Sequence, residues 1–296
     1  MAFLNDYSYL NKTGQKQEAY AYAKKSINIL LSRLRGRDNE SLPFDLDELL
    51  NLIHKDFLDD KIFYFLRSRD YVELGILLEL NDSYEKAIDF YNKAIEKNRY
   101  SWRAYNNKGL SCWKLGRYGD AISSFDKAIE ISNRQAEPWI NKSFLLIEII
   151  QVEEAKLSEQ EVERFLEKKR ELAEEALKCI DRAIKTNESM PVAYVNKGCA
   201  LSMLSDYKRR RNLNDEGDRL RQEEIQCYEK AIELDEEFTL AWYNAACHYS
   251  IVGNVDRAID CLKRSVDINS DMKASAKADP DLQHISDDPR FKVLID

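Results

Sequence analysis

Blocks of 34 residues repeat in this chain: laid over one another, 68–101, 102–135 and 239–272 put small residues in the same columns. The eighth place holds Gly75, Gly109 and Ala246, the twentieth Ala87, Ala121 and Ala258, and the twenty-seventh Ala94, Ala128 and Ser265. Large residues fill the places between, with Tyr71, Tyr105 and Trp242 at place four and Tyr91, Phe125 and Leu262 at place twenty-four. A period of this length is one helix–turn–helix unit, which buries its apolar face only by stacking on its neighbours. Small residues mark where the first helix of each unit (A) and the second (B) approach closely, and the columns predict place eight of A against place twenty of B. Gly116 and Gly253 at place fifteen suit the left-handed residue that ends a helix cheaply.

These columns resemble the tetratricopeptide repeat family. Its pattern has an aromatic at place four, Leu-Gly at seven and eight, Tyr at eleven, Ala at twenty, an aromatic at twenty-four, Ala at twenty-seven and Pro at thirty-two. Agreement is good at eight, twenty, twenty-four and twenty-seven. It fails at seven, where Lys108, Lys142 and Lys197 replace Leu, and at thirty-two, where Arg99, Asn133 and Ser270 replace Pro. The resemblance implies an all-α fold, a right-handed α-solenoid. It would hold five repeats at 68–101, 102–135, 136–190, 191–238 and 239–272, an N-terminal helical region at 1–67 and a C-terminal capping segment at 273–296, as in bacterial and archaeal members.

Two repeats are stretched. The block 136–190 exceeds the period by 21 residues and 191–238 by 14, and the small columns resume after each excess at Ala176 and Ala183 and at Ala231. Both excesses therefore fall between helix A and helix B, in multiples of seven that keep an apolar seam in register. They predict two extended helical hairpins projecting from the solenoid, the first opening its second helix with the capping box Ser158-Glu159-Gln160-Glu161. The first hairpin is acidic near its tip and the second basic, at Lys208, Arg209, Arg210, Arg211, Arg219 and Arg221. The opposite signs predict mutual ion pairing. At the N-terminus, 2–31 reads as a worn repeat and 44–67 as a cap. At the other end, Leu282, Ile285, Phe291 and Leu294 are expected to cover the last helix B.

Charged residues make up 33% of the chain and the formal net charge is −8, which disfavours nucleic acid and anionic membrane as partners. No apolar run approaches the roughly 20 residues that span a bilayer, and the first residues lack a secretory pattern, so a cytoplasmic location is expected. Six cysteines form no C-x-x-C pair, and His54, His248 and His284 are too dispersed for a metal cluster. No metal or cofactor is expected. The chain carries no nucleophile elbow, P-loop or kinase signature. These absences predict a protein that is not an enzyme but a protein–protein interaction scaffold, holding a protein or peptide partner in the concave groove. In the family, helix A lines that groove. The candidates there are Arg103, Asn107, Trp113, Lys114, Asn141, Phe144, Glu148, Asn196, Tyr243 and Asn244, of which the four asparagines share place six and could pair with a peptide backbone. The family's clamp for the carboxylate of chaperone tails is matched only at Asn107, which disfavours that ligand. The alternative is an adaptor that binds nucleic acid or an acidic partner through 208–211. A third reading is an enzyme whose site is assembled across helices.

Overall fold

The computed structural model describes residues 66–155 and 162–296. The expectations for 2–31, most of 44–67 and the capping box at 158–161 lie outside these residues. Among the described residues every regular element is helical. The chain divides after Ser132 into two compact units.

The N-terminal unit holds two regular pairs: α1 (Ser68–Leu80) with α2 (Tyr84–Lys97), and α3 (Trp102–Lys114) with α4 (Tyr118–Ile131). The C-terminal unit holds α5 (Ala136–Glu154), α6 (Val162–Thr186), α7 (Pro191–Arg210), α8 (Asn214–Leu234), α9 (Thr239–Ile251) and α10 (Val255–Ile268). It closes with α11 (Met272–Ala278), a 3-10 turn (Pro280–Ile285) and α12 (Pro289–Ile295). Regular pairs have 13 and 14 residues, whereas α7 and α8 have 20 and 21. The second stretched repeat is thus longer by one heptad in each helix, which leaves its buried seam facing the same way.

What stands nearest to place eight of helix A is the ring at place twenty-four of helix B, a partner that the columns did not single out. A Cβ added at Gly109 would stand 2.5 Å from Cε1 of Phe125, and the same ring contact occurs between Gly75 and Tyr91 and between Gly198 and Tyr228. The ring is too large to tolerate even a methyl opposite it. Where place twenty-four is aliphatic, as at Leu262, place eight carries a side chain, as at Ala246. Ala at place twenty is fully buried all the same (Ala87, Ala121, Ala258).

The helix A turn keeps one geometry through changes of residue. Gly116 and Gly253 have φ of +71° and +79°, and Asp82 and Asn212 take the same left-handed conformation. Each is followed by a backbone bond back to the carbonyl five residues before the donor: Ser83 N to Leu78 O, Arg117 N to Cys112 O, Leu213 N to Lys208 O and Asn254 N to Tyr249 O, all at 2.8–2.9 Å. These close the helix end. Asp82 occupies place fifteen, and Asn212 occupies that place moved by seven residues, so the heptad insertion carries the turn with it.

Both departures from the family pattern have structural explanations. The turn between repeats that Pro would favour is made by Asx turns: the side chains of Asn98, Asn187, Asp235 and Asn269 accept from the backbone N–H two residues on, at 3.0–3.1 Å. The lysines at place seven reach a neighbouring helix B. Lys108 donates to Asn92 at 2.9 Å and Lys197 to Asp181 at 2.7 Å, each sixteen residues back, while Lys142 pairs with Glu175 of its own repeat at 2.6 Å.

The C-terminal segment covers more than the last helix B. Leu282, Ile285 and Phe291 join one core cluster with Ala258 and Leu262 of α10 and with Tyr243 and Cys247 of α9.

Gly109→Ala should destabilise the protein by about 1–3 kcal/mol through overpacking, despite the roughly 1 kcal/mol by which Ala favours a helix over Gly. In denaturant unfolding, Gly109→Ala with Phe125→Leu should cost less than the sum of the single changes, and strict additivity would contradict the proposed contact.

Candidate functional site

The helix A positions that line the groove in the family differ here in how far they reach solvent. In the N-terminal unit, place nine presents Ile76, 38% exposed, and half-buried Leu110. Beside them stand Leu80, 75% exposed at place thirteen, and half-buried Trp113. Arg103 and Lys114 are exposed at the edges, and the Arg103 guanidinium lies 5.3 Å from the Trp102 ring centroid. In the C-terminal unit, place nine presents Phe144, 39% exposed, and half-buried Cys199. Phe144 was a sequence candidate; Ile76, Leu80 and Leu110 were not. Their signal was present in the alignment of repeats, because place nine is Ile, Leu, Phe, Cys and Cys down the chain.

The four place-six asparagines do not form a uniform ladder. Asn107 is half-buried and accepts from Asn106 Nδ2 at 3.2 Å. Asn141 and Glu148 are half-buried. Asn196 is only 3% exposed, with its Nδ2 buried and unpaired. Asn244 spends its Nδ2 on Cys199 Sγ at 3.4 Å. Tyr243 is 8% exposed and donates to Asp279 of the C-terminal segment at 2.8 Å. Asn107, Asn141 and Asn244 are thus the half-buried amides of the column, and Asn196 is sealed.

At the helix A face of the N-terminal unit lies a half-buried polar cluster. Ser111 donates to Glu79 Oε1 at 2.5 Å, and the Tyr91 hydroxyl lies beside Glu79 and Asn107. Burial pushes the Glu79 carboxyl above its ordinary range, against the opposing pull of the Ser111 and Tyr91 hydroxyls. Ionisation of Glu79 is therefore harder in the fold than in the unfolded chain, and Glu79 takes stability away as pH rises through its raised pKa.

The basic tip of the second hairpin is largely neutralised. Arg211 bridges Glu163 and Glu167 of α6 at 2.6 Å each, and Tyr207 donates to Glu167 at 2.9 Å. The Tyr207 hydroxyl, with Arg170 and Arg211, lowers the Glu167 carboxyl pKa. Lys208 pairs with Glu216 at 2.7 Å, and Arg209 with Asp218. Arg210 is exposed. The stretched hairpins lie against one another, with α7 packed along α6 and ion pairs between their tips, as their opposite signs predict.

A second, buried charge network ties α7, α8 and α9 together. Arg221, 5% exposed, donates to Ser202 and Glu224 at 2.9 Å and to Asp206 at 2.6 Å. His248 Nδ1 stands 3.4 Å from the other Glu224 oxygen. Sequence reading treated Arg221 as part of the basic hairpin surface, because nothing local marks a charge for burial. Five of the six thiols are poorly suited to nucleophilic chemistry: burial pushes Cys199, Cys227 and Cys261 up to about 11 and raises Cys112 and Cys247 as well.

The fold and its open helix A faces define a helical-repeat protein built to hold partners. Residues 102–133 match a tetratricopeptide repeat family model, and 71–99 and 240–272 match a second one. An uncharacterised protein of Methanocaldococcus jannaschii is 34% identical over 61 residues, which are 21% of this chain and 71% of that protein. Among solved structures, PilW, a type IV pilus biogenesis factor, aligns over 77% of this chain and 90% of its own with a TM-score of 0.58 and 14% identity. A thermophilic TPR protein of Thermus thermophilus aligns over 70% and 96% with a TM-score of 0.51 and 15% identity. At such identities the two structures show the fold alone. The chain belongs to the tetratricopeptide repeat family, whose members are generally non-catalytic protein–protein interaction scaffolds. No helix among the described residues is long and apolar enough to cross a membrane.

Glu79→Gln should raise the thermal midpoint at pH 7 relative to the wild type and converge with it near pH 4; an unchanged difference across that range would contradict the buried carboxylate. Arg221→Ala strands Glu224 and should cost about 3–5 kcal/mol, whereas Arg211→Ala should leave the midpoint nearly unchanged because its partners are solvated.

Proposed function

We propose that the helix A faces capture a peptide or protein segment, without catalysis, through apolar anchors at place nine flanked by amides at place six. The observation that carries this reading is the exposure of Ile76, Leu80 and Phe144 on those faces while neighbouring turns of the same helices are sealed. Large apolar side chains held on rigid helices are the kind of group that dominates binding energy. In the N-terminal unit Asn107 would pair with the backbone of a bound segment, and Arg103 and Lys114 would select among charges at its edges; in the C-terminal unit Asn141 and Glu148 stand at the corresponding places of their own repeat. Trp113 offers an aromatic contact within the N-terminal unit. The same evidence disfavours an adaptor working through 208–211, since Lys208, Arg209 and Arg211 are already matched by carboxylates.

The test is affinity capture from source cells with wild type, a Leu80→Ser/Phe144→Ser variant and a tip variant carrying Arg210→Ala and Leu213→Ser. The groove variant should lose captured partner by about tenfold or more, one anchor's worth of affinity, with an unchanged melting midpoint. Full retention by that variant together with loss in the tip variant would overturn the groove reading in favour of the hairpin tip.

A further inference from the structure

A cavity of about 570 Å³ opens between the last two helices B, α8 and α10, over Trp242, Ala245 and Tyr249 of α9. These three stand at places four, seven and eleven, none of them a groove place of helix A. The floor is apolar, with Ile225, Ala245 and Cys261 each at most 5% exposed. The rim carries Glu229 and Glu233 from α8 and Arg257, Asp260 and Arg264 from α10. Such a volume is that of a ligand pocket.

Other repeats place two cations here that the last repeat does not. In the second and fourth repeats, place seven is a lysine that donates to the residue sixteen before it, Lys108 to Asn92 and Lys197 to Asp181. In the last repeat place seven is Ala245, and the residue sixteen before it is the carboxylate Glu229. The second cation belongs over the indole at place four. In the third repeat Trp139 donates to the carbonyl six residues back, and the Arg182 guanidinium lies over its ring, 6.0 Å from the centroid. Trp242 makes the same indole bond, to Glu236 O at 2.9 Å. The counterpart of Arg182 is Arg264, each standing one residue before place twenty-seven, but Glu237 draws Arg264 into an ion pair at 2.5 Å. Ahead of Trp139 the position of Glu237 is Arg134, which leaves Arg182 over its ring. Among the described residues no cation lies over the Trp242 ring.

The cations at the rim are already spent. Arg264 is held by Glu237, and Arg257 lies over the Tyr249 ring, 5.1 Å from its centroid, and 3.9 Å from Glu229. Glu233 is paired with Lys230 at 2.9 Å. Asp260 is exposed and in no ion pair among the described residues, so the rim keeps one unmatched negative charge beside an uncovered indole.

We propose that this cavity receives an arginine side chain from an extended basic segment of a partner, distinct from the segment held in the helix A groove. The guanidinium lies over Trp242 as Arg182 lies over Trp139, and donates to Asp260 and Glu229, while its apolar stem covers Ala245 and Cys261. A guanidinium suits the place because it is planar, weakly hydrated, stacks on aromatic faces and forks onto carboxylates. Asp260 disfavours an anionic occupant, and a neutral one would leave its charge unmatched.

The test follows the Trp242 indole resonance in NMR spectra of the full chain, titrated at low salt with a capped peptide of alternating glycine and arginine. The comparison is the same peptide with citrulline, which keeps the shape and drops the charge. The arginine peptide should shift the Trp242 indole and bind severalfold tighter than the citrulline peptide. The Trp139 indole, already covered by Arg182, should not move. Ala245→Lys restores the lysine of the other repeats and should weaken binding by about tenfold or more, with an unchanged melting midpoint. Asp260→Asn, at an exposed position, should weaken binding severalfold and decides the matter if Ala245→Lys melts early. Absence of a Trp242 shift, equal binding of the citrulline peptide, or full binding to the Asp260→Asn variant would overturn the proposal. Free arginine binding as tightly as the peptide would overturn a partner segment as the occupant.

Discussion

The close approach of helix A to a ring on helix B is the contact on which the rest of each repeat depends. Tyr91, Phe125 and Tyr228 are each at most 3% exposed, and each lies against a bare backbone at Gly75, Gly109 or Gly198. A flat ring against a helix with no side chain fixes both separation and rotation of the pair. Rotation decides which positions of helix A face outward, so place nine comes to present Ile76, Leu110 and Phe144 through a contact they do not themselves make. In the last repeat, Leu262 and Ala246 meet the same requirement with a smaller group on one side and a larger one on the other. What is held constant down the repeats is the summed volume at the crossing.

Charge supplements this packing where the repeats are lengthened. The regular pairs close with a left-handed residue and one backbone bond, whereas the long pair α7–α8 adds a buried guanidinium. Arg221 gathers Ser202, Asp206 and Glu224 from helices that would otherwise present polar side chains to a dry interface. Surface pairs such as Arg211 with Glu163 and Glu167 align the tips but contribute little to stability. Losing Arg221 would leave Glu224 buried without its cation, and the hairpin's basic appearance in the sequence gives a poor guide to its charge in the fold.

Much of this was legible beforehand, for a physical reason. Period, turn and small-residue columns are local and repeated, so each copy checks the others, and the heptad character of the stretched repeat followed from counting. The ring opposite place eight was not legible because a column of small residues tells that something approaches closely but not what. Ala87 and Tyr91 lie one turn apart on the same helix face, and only coordinates separate them. The place-six asparagines looked equivalent as a column, yet Asn196 is sealed and Asn244 is bonded to Cys199, since burial depends on neighbouring repeats of unequal length. Ile76, Leu80 and Leu110 were passed over because exposed apolar residues look like core in a sequence. Arg221 escaped because charge gives no hint of depth.

The most direct test of the central claim is photo-crosslinking from single positions in the native setting. A photoreactive residue at 110 or 144, on the helix A faces, should trap one and the same partner, while one at 210 on the hairpin tip or 263 on helix B should trap none of it. Crosslinking of that partner from 210 or 263 but not from 110 or 144 would contradict groove capture.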